Sequence, residues 1–415
     1  MLIEKSLEQS GTAENVMHAT ADTPVGRGSS RAKSHRLSTR PPFECIALLL
    51  QGGGALGSYQ AGVYEALAEA DLHPGWVAGI SIGAINSAII AGNPPAERVA
   101  KLRRFWEEIT ANPMLDAAAA LGEFWLKGDF ARGLFNQMSA AVALLQGAPS
   151  FFSSRQPPVW LNPHGALEAT SFYETKQLRS TLERLVDFDR INSGETRLSM
   201  GAVNVRNGNF VYFDTTTHTI SPDHVMASGS LPPGFPAIDI EGECYWDGGL
   251  ISNTPLEWVV EHGPRQDTLA FQVDLWSAVG ELPRNLAQVA TRQKEIQYSS
   301  RTRANTDQFK RAQRLRATLA ALLEKLPEDL RDADEVKTLS DAASRKLYNL
   351  VHLIYRPRDY EGQSKDYEFS TLSMRDHWRA GYQDAMRTLR HPEVLARPTS
   401  PDGVSTFDLA RDGRE

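Results

Sequence analysis

Residues 44–51 read ECIALLLQ, an apolar run closed by glycines, as expected of a strand covered on both faces. SYQAGVYEALAEA follows, with Val63, Leu67 and Ala70 at helical spacing. GWVAGI then reads as a second short strand and SIGAINSAIIAG as a second helix. Strand, glycine turn, helix, strand, tight turn, helix predicts a βαβα opening on a parallel sheet. Farther on, TRLSMGAVNV and NFVYFD alternate as strands around an Asn207-Gly208 hairpin signal. ECYWDGG and TLAFQVDLW supply two more, and LVHLIYRP a last one. The helix after it is expected to start at a capping box from Ser373 to Asp376.

Other stretches lack this regularity. Residues 1–40 are polar, carry the basic run RGSSRAKSHRLSTR and show no hydrophobic period; they read as a disordered tail, and 396–415 as a flexible one. Residues 112–165 mix small residues with Phe124, Trp125, Phe130, Phe135, Phe151, Phe152 and Trp160. They are expected to form a helical insert above the sheet, a lid or an ordinary subdomain. As a lid it would make Phe151 and Phe152 contacts for acyl chains or a membrane. Residues 276–395 read as a charge-rich helical extension with a returning strand. Its Arg301, Arg303, Lys310, Arg311, Arg314 and Arg316 would face solvent or anionic headgroups; nearby acids favour solvent.

Composition narrows the function classes. A net charge of −7 over 415 residues argues against a nucleic-acid binder. Cys45 and Cys244 are too few for a disulfide framework or a zinc site and read as buried thiols. Neither a metal nor a cofactor is expected. With no apolar run of transmembrane length and no signal-peptide pattern, the expected address is the cytoplasm, peripheral membrane contact remaining open.

Two glycine motifs carry the candidate chemistry. In GISIG, Gly79 and Gly83 flank Ser81 between a strand and a helix, the context of a nucleophile held on a sharp turn. Gly52, Gly54 and Gly57 satisfy a dinucleotide fingerprint, with Asp71 near the position of a ribose-binding acid. Beside a nucleophile the same loop has another use: the Gly53 and Gly54 amides would form an oxyanion hole. None of His164, His218, His224, His262, His352, His377 and His391 sits in a glycine-rich loop after a strand, as a triad histidine would. Asp247 does end a strand, followed by Gly248 and Gly249; the plain alternative is a turn.

GGGALG (52–57), GISIG (79–83) and DGG (247–249), in that order, resemble the patatin-like phospholipases over residues 44–275, with AGVYEAL and VMASGSLPPGFPAI extending the match. The resemblance implies an α/β fold, a three-layer α/β/α sandwich with a mostly parallel central sheet. It implies a Ser81–Asp247 dyad without histidine, Gly53 and Gly54 as oxyanion hole, and a lipid or phospholipid ester as substrate. Many members carry Arg or Lys where this chain has Leu56, which leaves headgroup preference open. The alternatives are a non-catalytic lipid-binding or scaffold protein on the same fold, and a dinucleotide-binding protein.

Overall fold

In the computed structural model, residues 37, 39–122, 128–262, 265–299, 302–358, 360–400 and 402–409 are described. The tail through residue 36, Phe124, Trp125 and Arg301 lie outside them, as does the side chain of Arg303. Strand β1 (Cys45–Leu50) is buried along its length, and its alternation sorts side chains between two layers. Ile46, Leu48 and Leu50 join one apolar cluster, while Cys45, Ala47 and Leu49 join another.

Helix α1 (Ser58–Glu69), β2 (Trp76–Ile80), α2 (Ile82–Ala91) and α3 (Pro95–Thr110) follow as the sequence pattern predicts. The insert holds α4 (Pro113–Gly122), α5 (Asp129–Gln146) and a small antiparallel sheet of β3 (Gly147–Ala148), β4 (Phe152–Ser154) and β5 (Tyr173–Glu174). Next come α6 (Lys176–Leu185), α7 (Phe188–Asn192), the hairpin β6 (Arg197–Asn204) and β7 (Phe210–Asp214), and α8 (Pro222–Ser228). Strands β8 (Ile238–Ile240) and β9 (Glu243–Asp247), helix α9 (Leu256–Glu261) and β10 (Thr268–Asp274) precede α10 (Leu286–Ser299), α11 (Thr302–Leu323) and α12 (Asp334–Ala342). The chain continues through β11 (Tyr348–Ile354), α13 (Thr371–Thr388), α14 (Pro392–Leu395) and β12 (Val404–Phe407).

The main sheet runs β12-β11-β10-β1-β2-β6-β9-β8, with β7 also paired to β6. From β12 to β6 every pairing is parallel; β7, β8 and β9 are antiparallel. Helices α1, α2, α3 and α13 cover one face, and Leu256, Val259 and Val260 of α9 with Phe309 of α11 cover the other. This is the three-layer α/β/α sandwich. Because β2 and β10 flank β1 on opposite sides, the winding reverses at β1, and the crevice at its carboxyl end is the natural ligand site.

The segment after β10 builds this same unit. Its strands β11 and β12 extend the sheet, and α13 lies against α1. The two helices meet at backbone distance: a Cβ on Gly62 would overlap the Trp378 carbonyl, and one on Gly381 the Tyr59 carbonyl.

Some expectations need correction. The stretch 396–415, expected as a flexible tail, contains β12, which pairs with β11 as a strand of the main sheet. Helix α13 starts earlier than the Ser373 box: Ser370 is its N-cap, accepting from the Ser373 amide at 3.2 Å. Phe151 and Phe152 are each 6% exposed and pack edge-to-face on one another and on Phe369, so they are core rather than lid surface. Asp71 is an exposed turn residue before β2 begins, at the edge opposite the carboxyl ends, where a ribose-binding acid would be useless. Cys45 is buried, which pushes its thiol up to about 11, whereas Cys244 is half-buried. Among the described residues no helix is long and apolar enough to cross a membrane.

Candidate active site

Ser81 stands alone between β2 and α2, half-buried, at φ 57° and ψ −125°. That conformation costs a non-glycine residue about 1–3 kcal/mol and is the geometry of a nucleophile elbow. Neighbours hold it there. Its amide donates to Ser228 Oγ at 3.1 Å, and that hydroxyl in turn donates to the Gly201 carbonyl at 2.7 Å. The turn closes so tightly that a Cβ on Gly79 would overlap the Gly83 backbone, and one on Gly83 the Leu50 carbonyl.

Sheet register brings Asp247 to Ser81. Ile80 pairs with Gly201, and the next β6 residue, Ala202, pairs with Asp247. Ser81 and Asp247 therefore share a level of the sheet two strands apart, roughly 10 Å between backbones. Their side chains approach across the gap: the Ser81 hydroxyl is near enough to the Asp247 carboxyl to pull its pKa down. The Gly249 amide donates to Asp247 Oδ1 at 2.7 Å, and Gly248 passes against the Gly201 carbonyl. Asp247 is 2% exposed, and burial pushes its carboxyl up to about 7, against the downward pull of the Ser81 hydroxyl and the Gly249 amide. No histidine is among the groups that act on it; His352 lies beside Asp274, and His377 Nε2 lies 3.2 Å from Glu361.

The glycine loop faces the same crevice. A Cβ on Gly52 would lie 3.0 Å from Ser81 Cβ and would overlap Asn253 Oδ1. The Gly52 carbonyl accepts from Asn253 Nδ2 and Trp276 Nε1, each at 3.0 Å. A trans peptide sets N–H opposite C=O, so these two bonds turn the Gly53 amide the other way. The Gly53 carbonyl likewise accepts from the Leu56 amide at 3.2 Å, turning the Gly54 amide. Neither amide donates to an acceptor among the described residues. Gly54 sits at φ 55°, against the Asp366 carbonyl, and that carbonyl takes the Ala55 amide at 2.8 Å. Gly57 packs on Ile82 and Trp106, and Leu56 points into the core, fully buried.

Sequence reading missed the residues that hold this loop. Gln51 accepts from the Leu275 and Trp276 amides at 2.7 and 3.0 Å and donates to the Tyr298 carbonyl at 3.2 Å. Asn253 also donates to Tyr298, at 3.1 Å. Asn253, six residues beyond Asp247, was within reach of a motif search; Trp276, Tyr298 and Asp366 arrive from distant segments with no local signal. Among the described residues no group of three or more His, Cys, Asp or Glu is arranged to hold a metal ion.

Comparison with known proteins gives the family. A family model described as patatin-like phospholipase matches residues 48–260, and a second, described as patatin phospholipase, matches 296–401. No curated protein matches. Among solved structures, VipD from Legionella pneumophila is 14% identical, with a TM-score of 0.37 over 89% of this chain and 72% of that one. A chain of the complex of full-length SpcU with full-length ExoU, from the type III secretion system of Pseudomonas aeruginosa, is 17% identical with a TM-score of 0.24. That match covers 65% of this chain and 52% of the other. With its first family match spanning half of the chain and both glycine motifs and the DGG in place, the protein belongs to the patatin-like phospholipase family, a family of lipid ester hydrolases.

Proposed function

We propose that this protein is a serine lipid acyl hydrolase of phospholipase A or esterase type, working through a Ser81–Asp247 dyad. Ser81 Oγ attacks the ester carbonyl as its proton passes to Asp247. The carbonyl oxygen becomes an oxyanion and is received by the Gly53 and Gly54 amides. Collapse expels the alcohol, which takes the proton from Asp247, and leaves an acyl-Ser81 ester. Asp247 then accepts a proton from water as that water attacks the acyl group, and returns it to Ser81 as the fatty acid leaves. One observation carries this reading: a serine on a strained turn faces, at the same level of the sheet, a buried carboxyl whose pKa, about 7, suits a base at neutral pH.

Helix α5 exposes Phe130, Leu134 and Met138, which fall at i, i+4 and i+8 on one stripe. We assign this stripe to contact with the lipid surface that supplies the substrate.

Hydrolysis of a soluble ester and of phospholipid vesicles by Ser81→Ala, Asp247→Asn and the double variant tests the dyad. Each single variant is expected to lose about 10³-fold or more, and the double variant scarcely more than either. A folded Asp247→Asn protein retaining most of its activity would exclude the dyad. Lipid binding without ester hydrolysis by the unaltered protein would leave a binding protein on this fold.

A further inference from the structure

The carboxyl edge of the sheet holds a second opening. Beyond the ends of β10, β11 and β12 lies a cavity of about 1300 Å³, bounded by the 277–284 loop, α10 and α11. Neither Ser81 nor Asp247 lines it. It is large enough for a ligand of drug size, which takes roughly 300–1,000 Å³.

Its wall is polar and incompletely satisfied. Ser299 is 2% exposed, and its Oγ has no hydrogen-bond partner; His352 Nδ1 has none either, lying 3.8 Å from Asp274 Oδ2. Both residues line the cavity, and because buried polar atoms are nearly always paired, a small turn of either side chain would offer an unused hydrogen-bonding atom to a ligand there.

The charges on the wall select its sign. The inner acids already have partners. Asp274 accepts from Gln272 Nε2 at 3.0 and 2.9 Å, and Asp408 lies 3.2 Å from Arg356. Glu295 is shared by two cations, Arg292 at 3.2 Å and Lys365 at 2.6 Å, which leaves one positive charge over. Lys310 donates to Thr406 Oγ1 at 2.9 Å and its charge also reaches Asp402, which Arg314 already pairs; among the described residues neither Lys310 nor Arg284 is within ion-pair distance of a carboxylate. The remaining acids, Glu281 and Asp307, are exposed at the rim. We infer that this cavity is a second binding site, for a phosphate-bearing anion. The phosphate engages Lys310 and the surplus positive charge beside Glu295, and the rest of the ligand meets Ser299 and His352. A phospholipid headgroup and a free phosphate ester share this chemistry.

The site is separate from the proposed dyad, so it is tested on the Ser81→Ala protein by binding alone. Two probes distinguish the sources: sodium pyrophosphate by calorimetry, and vesicles of phosphatidic acid in phosphatidylcholine against phosphatidylcholine alone by co-sedimentation. Saturable pyrophosphate binding, weakened about tenfold by Lys310→Gln or His352→Gln and by added salt, assigns the site to free phosphate esters. Preference for phosphatidic acid vesicles, lost in the same variants and without pyrophosphate binding, assigns it to a headgroup. Should His352→Gln fold poorly, Lys310→Gln and the exposed Arg284→Gln carry the comparison. If neither probe binds saturably, or if binding survives unchanged in the folded variants, the inference is overturned.

Discussion

The hydroxyl of Ser81 and the carboxyl of Asp247 stand at one level of the sheet, and among the described residues neither an imidazole nor a cation is among the groups that shift the acid. The acid is as buried as a core leucine. Its basicity therefore comes from exclusion of water rather than from a charged neighbour, and that origin has measurable consequences.

The first is kinetic. A base works when ionised, so kcat/KM for a soluble ester should rise with pH through an apparent pKa of about 7 and level off above it. A profile flat from pH 5 to 9 would show that another group, or none, accepts the serine proton.

The second is thermodynamic, and its sign is the reverse of the usual carboxylate case. With the folded pKa raised to about 7 from 3.8, Asp247 favours the fold at acid pH, and that contribution is lost as pH rises through about 7. Asp247→Asn removes the buried charge and should gain stability over the unaltered protein at pH 8.5 relative to pH 5, by a few kcal/mol at roughly 1.4 kcal/mol per pKa unit. Equal stability differences at both pH values, from urea titrations, would contradict the assignment.

Asp214 behaves oppositely. Burial pushes its carboxyl up, but bonds from Arg197, Ser199 and Thr216 outweigh this and hold it at about 2. Stability from this group is present above 3.8 and lost as pH falls through about 2. Asp214→Ala would leave Arg197 without its carboxylate and is expected to cost about 3–5 kcal/mol at pH 7, the cost of breaking a buried ion pair. Urea midpoints at pH 7 and pH 3 for both proteins check the size and the direction.

Phenylalanines in and beside α5 should divide by burial. Phe151→Ala, in the aromatic core, is expected to cost about 3–5 kcal/mol. Phe130→Ser, 88% exposed in the unaltered protein, should change stability by less than about 0.5 kcal/mol yet weaken vesicle binding. Vesicle binding unchanged in a Phe130→Ser, Leu134→Ser double variant would remove α5 from the membrane surface.

What could be read ahead of the structure was local. The apolar runs of β1 and β2, the glycine turn, the strand-turn-helix around Ser81 and the β6–β7 hairpin each write their pattern within a dozen residues. Asp247 was visible because a strand ended at it. The support of the glycine loop was not visible: Asn253, Trp276, Tyr298 and Asp366 reach it through tertiary contacts, and a tryptophan after a strand reads as core. Phe151 and Phe152 illustrate the same limit, since periodicity marks an aromatic as apolar without saying which surface buries it. At α13 a serine does cap the helix, but it is Ser370 rather than Ser373, and it caps without a reciprocal box, since the Ser370 amide donates to Glu368 instead.

The loop beside Ser81 depends on residues made much later in the chain. On a ribosome, Ser81 and the DGG segment emerge long before Tyr298 and Asp366, which hold Gln51, Asn253 and Ala55, and before the Gly381 turn of α13 that seats α1. A nascent chain halted after Gly249 has every motif residue and lacks the frame that turns the Gly53 amide. During synthesis the glycine loop beside Ser81 is thus complete only once the segment after β10 has been made and has packed against it.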